Sequence, residues 1–332
     1  MPLPTANDVH VNRPLTNLSV AYLQNAQNFI ARRAFPNVPV SKQSDSYFTF
    51  NRADFNRNEA EKRAPSTESA GGGYRLSTDT YRCDVYAIHK DIADQVRANS
   101  DNPLSPDRNA MNWNMHKLLI KQEVNWASTY FAGGVWTNDI NGVASSAGSG
   151  EVIQWSDATN GDPIGDIRAA KTAVLLATGF EPNKLIIGQQ VLDALVDHPD
   201  IVDRVKYSGG VGNQNPSKVN EQTLAQLFDL DEVMVMKAIQ NTAGEALAEV
   251  SAFIGGKKAL LVYAPPASGI EIPSAGYTFS WTGYLNAGNE FGIATSTFRL
   301  ANLKSDRVES EIAMDFKLVS ADLGYFWDTI VA

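Results

Sequence analysis

Cysteine is almost missing: Cys83 is the one thiol in 332 residues. That excludes an internal disulfide and a multi-cysteine zinc site. Set in "TYRCDVYAIHK", Cys83 reads as a half-buried strand position, where a free thiol packs as a small hydrophobe. Long apolar runs are missing as well. Nowhere do about 18 uncharged apolar residues follow one another, the minimum for a membrane-crossing helix, so no membrane partner is expected. The start, "MPLPTANDVHVNRPL", lacks the charged-then-apolar order of a secretion signal. These features predict folding in a reducing cytoplasm. Positive charge is in deficit too, with 28 Lys and Arg against 37 Asp and Glu, a net −9. A reader of base sequence needs a basic patch to offset phosphate charge. A wall enclosing nucleic acid does not, since an acidic lining prevents sticking.

Catalytic patterns are also lacking. His10, His89, His116 and His198 stand apart from one another and from carboxylates at metal-ligand spacing. His198, in "VDHPD", reads as a helix-end residue. "FIGGKKA" fails the phosphate-loop pattern twice, because Ser251 stands where a glycine is needed and Lys258 where Ser or Thr is needed. "SGGVGNQN" has Asn215 in place of the third glycine of a dinucleotide fingerprint. No serine sits in a Gly-x-Ser-x-Gly elbow, and Asp229 and Asp231 read as solvated loop acids. No catalytic, cofactor-binding or metal-ligating residue is therefore assigned, and an enzyme is not expected.

What is present is an ordered series of elements. Leu18, Tyr22, Ala26, Phe29 and Ile30 form one stripe of a short helix stopped by Pro36 and Pro39. "SYFTF" (46–50) and "TYRCDVYAIHK" (80–90) read as strands. The polar excursion between them, "FNRNEAEKRAPSTESAGGGYRL", offers little to bury. Its charges balance from Asn51 to Glu68: Arg52, Arg57, Lys62 and Arg63 against Asp54, Glu59, Glu61 and Glu68. Phe55 is its one large apolar residue before Tyr74, and Gly71, Gly72 and Gly73 suit a flexible tip or bend.

Ser105 as cap and Pro106 in the first turn open a helix expected to run to Phe131, a rod of roughly 40 Å. Trp113, Ile120, Val124, Ala127 and Phe131 make one stripe on it, and Met115, Leu119, Trp126 and Tyr130 a second. From "WSDATNGDPIGDI" the pattern alternates helix and strand, a compact α/β unit. Asp162 caps its first helix and Gly179 ends it in a left-handed conformation. From Ala259 the chain is β-rich. Its apolar tail, "ADLGYFWDTIVA", requires pairing within a sheet.

This series resembles the major capsid protein of tailed bacteriophages, with the Hong Kong 97-type fold. The resemblance rests on "WSDATNGDPIGDIRAA", "TGFEPNKLIIGQQVLDALVDHPDIVDRVKY", "LAQLFDLDEVMV", "YTFSWTGY" and "DFKLVSADLGYFWDTIV", in that order, and covers the chain from about residue 15. It implies an α+β fold with an N-terminal arm and short helix at 1–44 and an extended β-hairpin loop at 45–90. A peripheral domain with spine helix 105–131 would occupy 91–158, an axial α/β domain 159–290, and returning strands of the peripheral domain 291–332. The function implied is self-assembly, as hexamers and pentamers, into the icosahedral shell of a virion around double-stranded DNA, with assembly in the host cytoplasm.

On this resemblance the hairpin, at about 20 residues a side, could reach roughly 60 to 70 Å and lie over a neighbouring copy. Arg52, Asp54, Phe55, Arg57, Glu59, Glu61, Lys62, Arg63 and Glu68 would be its contacts. Gly209, Gly210, Gly212 and Asn213 would line the centre of a capsomer. A separate scaffold protein, a portal and a decoration protein are the implied partners. Some relatives weld subunits through a Lys–Asn bond. Lys62 lies in the loop, but the required Asn and Glu are not matched, so no weld is expected. The alternatives are a tail-tube or decoration subunit, which the α/β unit disfavours, and a soluble hydrolase, which the missing polar constellation disfavours.

Overall fold

A computed structural model describes residues 23–100, 105–208, 219–269, 272–285 and 293–332. Its first elements are a 3₁₀ turn at Ala26–Asn28 and the short helix α1 (Ala31–Ala34). The longer helix expected from Asn17 is therefore interrupted at Phe29, and Leu18 and Tyr22 lie outside the described residues. Pro36, unable to donate a backbone bond, turns the chain into β1 (Asn37–Val40). A hairpin follows, built of β2 (Ser44–Phe50) and β3 (Leu76–Arg82), with a single helical turn, α2 (Arg52–Phe55), beyond the end of β2. The strand expected over 80–90 is broken at Cys83, after which β4 (Asp84–Ala93) enters a different sheet.

After α3 (Asp94–Ala98) comes the rod α4 (Pro106–Tyr130), of 25 residues. Pro106 takes the first helical position, where its missing N–H costs nothing, while the Ser105 side chain makes no capping bond. The buried stripe of α4 differs from both expected ones. It runs Ala110, Asn114, Leu118, Gln122, Glu123, Trp126, Tyr130, so three of its seven positions are polar.

The next stretch holds β5 (Asn138–Val143), β6 (Glu151–Ile153), α5 (Pro163–Thr178), β7 (Lys184–Gly188), α6 (Gln189–Asp197) and α7 (Pro199–Ser208). Asp162 caps α5 by accepting the Gly165 amide at 2.8 Å, and Gly179 ends it at φ +81°. His198 is buried between α6 and α7. Then come α8 (Glu221–Phe228), β8 (Glu232–Met236), the small hairpin β9 (Ile239–Asn241) and β10 (Ser251–Phe253), and β11 (Ala259–Val262). The last elements are β12 (Gly276–Trp281), α9 (Thr282–Leu285), β13 (Ile293–Leu300), β14 (Ser305–Leu318) and β15 (Gly324–Asp328).

Two sheets organise these elements. In the first, β14 pairs antiparallel with β4, β12 and β13, and β1 adds in parallel to β12. The second runs β6-β5-β15-β11-β7-β8 and is apolar on both faces. Leu185, Ile187, Val233, Val235, Leu261 and Trp327 point into one cluster, beneath α5 to α8. Their strand neighbours Ile186, Met234, Met236, Leu260, Val262 and Phe326 point into another, under α1 and the end of α4. Successive side chains alternate faces, so short, wholly apolar strands such as "ALLV" are what a sheet covered on both sides requires. The tail finds its place here, since β15 lies between β5 and β11, with Ile330 and Val331 buried. A boundary at 290/291 cuts across both sheets, because β12 joins the first and β15 the second.

Candidate assembly surface

The hairpin is anchored at its root and exposed beyond it. Seven residues on each side pair, from Ser44 opposite Arg82 to Phe50 opposite Leu76. That paired length is about 23 Å at strand rise, and residues 56–75 continue without regular structure. At the root, Tyr81 and Tyr47 pack on Phe279 of β12, with ring centroids 4.5 and 5.7 Å away. The Tyr47 hydroxyl donates to Asp79 at 2.9 Å, and Lys317 of β14 meets the same carboxylate at 3.2 Å. Burial and the Asp79 carboxylate both push the Tyr47 hydroxyl well above the usual phenol range. Cys83 is fully buried beside Phe279, and burial pushes its thiol up to about 12, which leaves it an inert packing residue.

Further out, Phe50, Phe55 and Tyr74 form a mutual aromatic cluster, with centroids 5.4 to 5.8 Å apart. Asn51 caps the α2 turn through the Ala53 amide, and Asp54 accepts from the Arg75 backbone and guanidinium, which closes the turn over the strand pair. The Arg75 guanidinium holds the Asp54 carboxyl below the usual range. Yet Phe55 and Tyr74 stay 61% and 63% exposed, and Phe48 and Leu76 are exposed beside them. A contiguous apolar patch on a protruding arm marks an interaction surface.

The charges of the excursion divide into two groups. Arg52 reaches Asp322 of the body at 2.6 Å, and Arg57 meets Glu59 at 3.0 Å and Asp54 at 3.4 Å. Arg63 turns back to the Thr67 carbonyl. Glu61, Lys62 and Glu68 are exposed, with no ion-pair partner among the described residues. Gly71, Gly72 and Gly73 are exposed, and none adopts a left-handed φ. Gly209, Gly210, Gly212 and Asn213 lie outside the described residues. Sequence reading missed the aromatic cluster, because Phe50, Phe55 and Tyr74 are scattered over 25 positions and meet only when the strands pair. It also missed Glu123, which an apolar-stripe search passes over.

A network of arginines and aspartates fastens the surrounding sheet. Arg299 on β13 grips Asp94 through two bonds of 2.5 and 2.6 Å and touches Asp306 at 3.2 Å. Arg97 joins Asp306 to Asp107 at the start of α4. Arg307 on β14 holds Asp91 on β4. Among the described residues no group of three metal-ligating side chains converges, and no helix is long and apolar enough to cross a membrane.

The family model described as phage major capsid protein E matches residues 152–267. The chain is 23% identical to the major capsid protein of Burkholderia phage BcepMu over 95% of each chain. It is 26% identical to that of Pseudomonas phage JBD67 over 97% of each. In three dimensions it is similar to the capsid of cyanophage P-SCSP1u, with TM-score 0.60 and 12% identity over 97% of this chain and 93% of that one. Along nearly its whole length the chain is similar to phage major capsid proteins. Its fold is the Hong Kong 97 type, α+β, and its work is to form the shell.

Proposed function

We propose that the capsid protein assembles as hexamers and pentamers into an icosahedral shell around double-stranded DNA, and that the hairpin at 45–90 is the part each subunit lends to a neighbour. The observation that carries this reading is the Phe50–Phe55–Tyr74 cluster. It holds the distal arm in one shape while Phe55 and Tyr74 stay more than half exposed, with no further cover among the described residues. One two-stranded hairpin of seven residue pairs would be marginal alone in water, so ordering the rest of the arm, at about 1 to 2 kcal/mol per residue, calls for contacts supplied from outside. Glu61, Lys62 and Glu68 are the charges left to pair across such a contact. Each exposed pair adds about 0 to 1 kcal/mol, weak enough for misplaced subunits to leave.

The remaining parts follow from position. The sheet of β1, β4, β12, β13 and β14 forms a peripheral region with α4, and the six-stranded sheet forms an axial domain with α5 to α8. A separate scaffold, a portal and a decoration protein complete the particle, which assembles in the host cytoplasm. The net −9 charge suits a wall that surrounds DNA without adhering to it. Negative-stain microscopy of the purified protein, alone and with its scaffold, tests this. Capsomers or closed shells are expected, and a strict monomer under every assembly condition would overturn it.

A further inference from the structure

Helix α1 has four residues, yet an ionisable side chain from a different element grips each of its ends. At the N-terminal end the Glu123 carboxylate, on α4 and fully buried, accepts from the Ile30 amide at 3.0 and 3.1 Å and from the Ala31 amide at 2.9 Å. At the C-terminal end the Lys184 ammonium, on β7, donates to the Arg33 and Ala34 carbonyls at 3.1 and 3.3 Å. A negative group at the donor end of a helix and a positive one at its acceptor end both match its dipole. They also supply the partners that so short a helix cannot provide for itself. Arg32 bonds Gln122 of α4 at 2.8 Å, and Phe35 packs on Trp126 and Tyr130. Upstream, Gln24 exchanges two bonds with the Ile239 backbone of β9. The segment thus ties the rod to the six-stranded sheet.

We infer that α1 is a latch on the N-terminal arm, gripped by Glu123 at one end and Lys184 at the other, and that the protonation of Glu123 sets how readily it opens. Burial pushes the Glu123 carboxyl up to about 7, against the opposing effect of the two amides. Opened to water, the carboxyl returns toward the ordinary range near 4.5. The closed latch therefore binds the proton more tightly than the open one, so acid closes it and a rise through pH 7 loosens it.

The other charged groups around the segment differ in sign or position. His116, on α4 under Phe29, has its pKa lowered by burial and by Lys117, so its protonation favours opening. Lys184 is lowered by burial, raised by Glu232 and Asp231, and lowered by Arg33, so acid favours its solvated form as well. Arg33 pairs with Glu232 at the surface of β8. A tightening on acidification consequently isolates Glu123.

Hydrogen exchange of peptides spanning residues 26–35 in the full-length protein, corrected for intrinsic rates, measures the opening. Between pH 8 and pH 5 it should fall by on the order of 50-fold in the natural protein. The dependence should vanish in Glu123→Gln and persist in His116→Asn. Protection that stays constant or weakens on acidification in the natural protein overturns the inference, and so does acid tightening that survives in Glu123→Gln. Should Glu123→Gln fail to fold, the pH series on the natural protein and on His116→Asn still decides, since loss of the tightening in His116→Asn contradicts the assignment.

Discussion

The ring of Tyr81 lies flat on that of Phe279, with centroids 4.5 Å apart and planes 10° from parallel. Tyr81 is the last aromatic residue of the hairpin before β4, and Phe279 belongs to β12 of the first sheet. The stack is therefore the joint between arm and body. Removing a buried aromatic ring costs about 3 to 5 kcal/mol, and a stacked pair adds about 0.5 to 1.5 beyond area alone. Tyr81→Ala should loosen residues 44–82 before it unfolds the rest. Limited proteolysis should then cut within 51–75 faster than in the natural protein, while the α5–α8 region stays protected.

The aromatic cluster calls for the opposite pattern. Phe55 and Tyr74 are more than half exposed in the subunit, so replacing both with Ser should change subunit stability by no more than about 0.5 kcal/mol. If a neighbour covers them in the shell, each loses about 1.5 to 3 kcal/mol of burial. The concentration needed for assembly should rise at least tenfold, since 1.4 kcal/mol corresponds to that factor. Light scattering against concentration measures it. Unchanged assembly with an unchanged melting temperature would remove the cluster from the contact.

Much of this fold was legible from local chemistry. Asp162, Pro163 and Gly179 mark both ends of α5, because caps act through residues a few positions away, and Pro106 marks the start of α4 through its fixed φ. The two-sided burial of "LIIG" and "ALLV" follows from their unbroken apolar character. The buried stripe of α4 was not legible. Asn114 is buried because its amide donates to the Val308 carbonyl of β14 at 2.9 Å, and Glu123 because it caps a helix some 90 residues earlier. A polar residue finds its reason in a partner distant in sequence, and periodicity carries no trace of that partner. The excursion at 51–75 was legible as an arm, while its shape depended on three aromatic rings meeting across paired strands.

Arg299 supplies a test of the sheet's charge network. Its bonds to Asp94 and Asp306 raise its own pKa further above the ordinary guanidinium value. The same bonds depress Asp94, and the guanidinium of Arg97 depresses Asp306 first, with Arg299 adding to it. A carboxylate with a depressed folded pKa contributes stability above its unfolded value, near 3.9, and that contribution is lost as pH falls through the folded value. The network should thus hold at neutral pH and fail only in strong acid. In Arg299→Ala, Asp94 loses the grip that dominates its shift, whereas Asp306 keeps Arg97. Carboxyl-carbon titration by NMR should show Asp94 returning most of the way toward its ordinary pKa and Asp306 moving less. Equal shifts at both aspartates would mean that the two share one coupled grip, and no movement at Asp94 would mean that the bidentate pair does not form in solution.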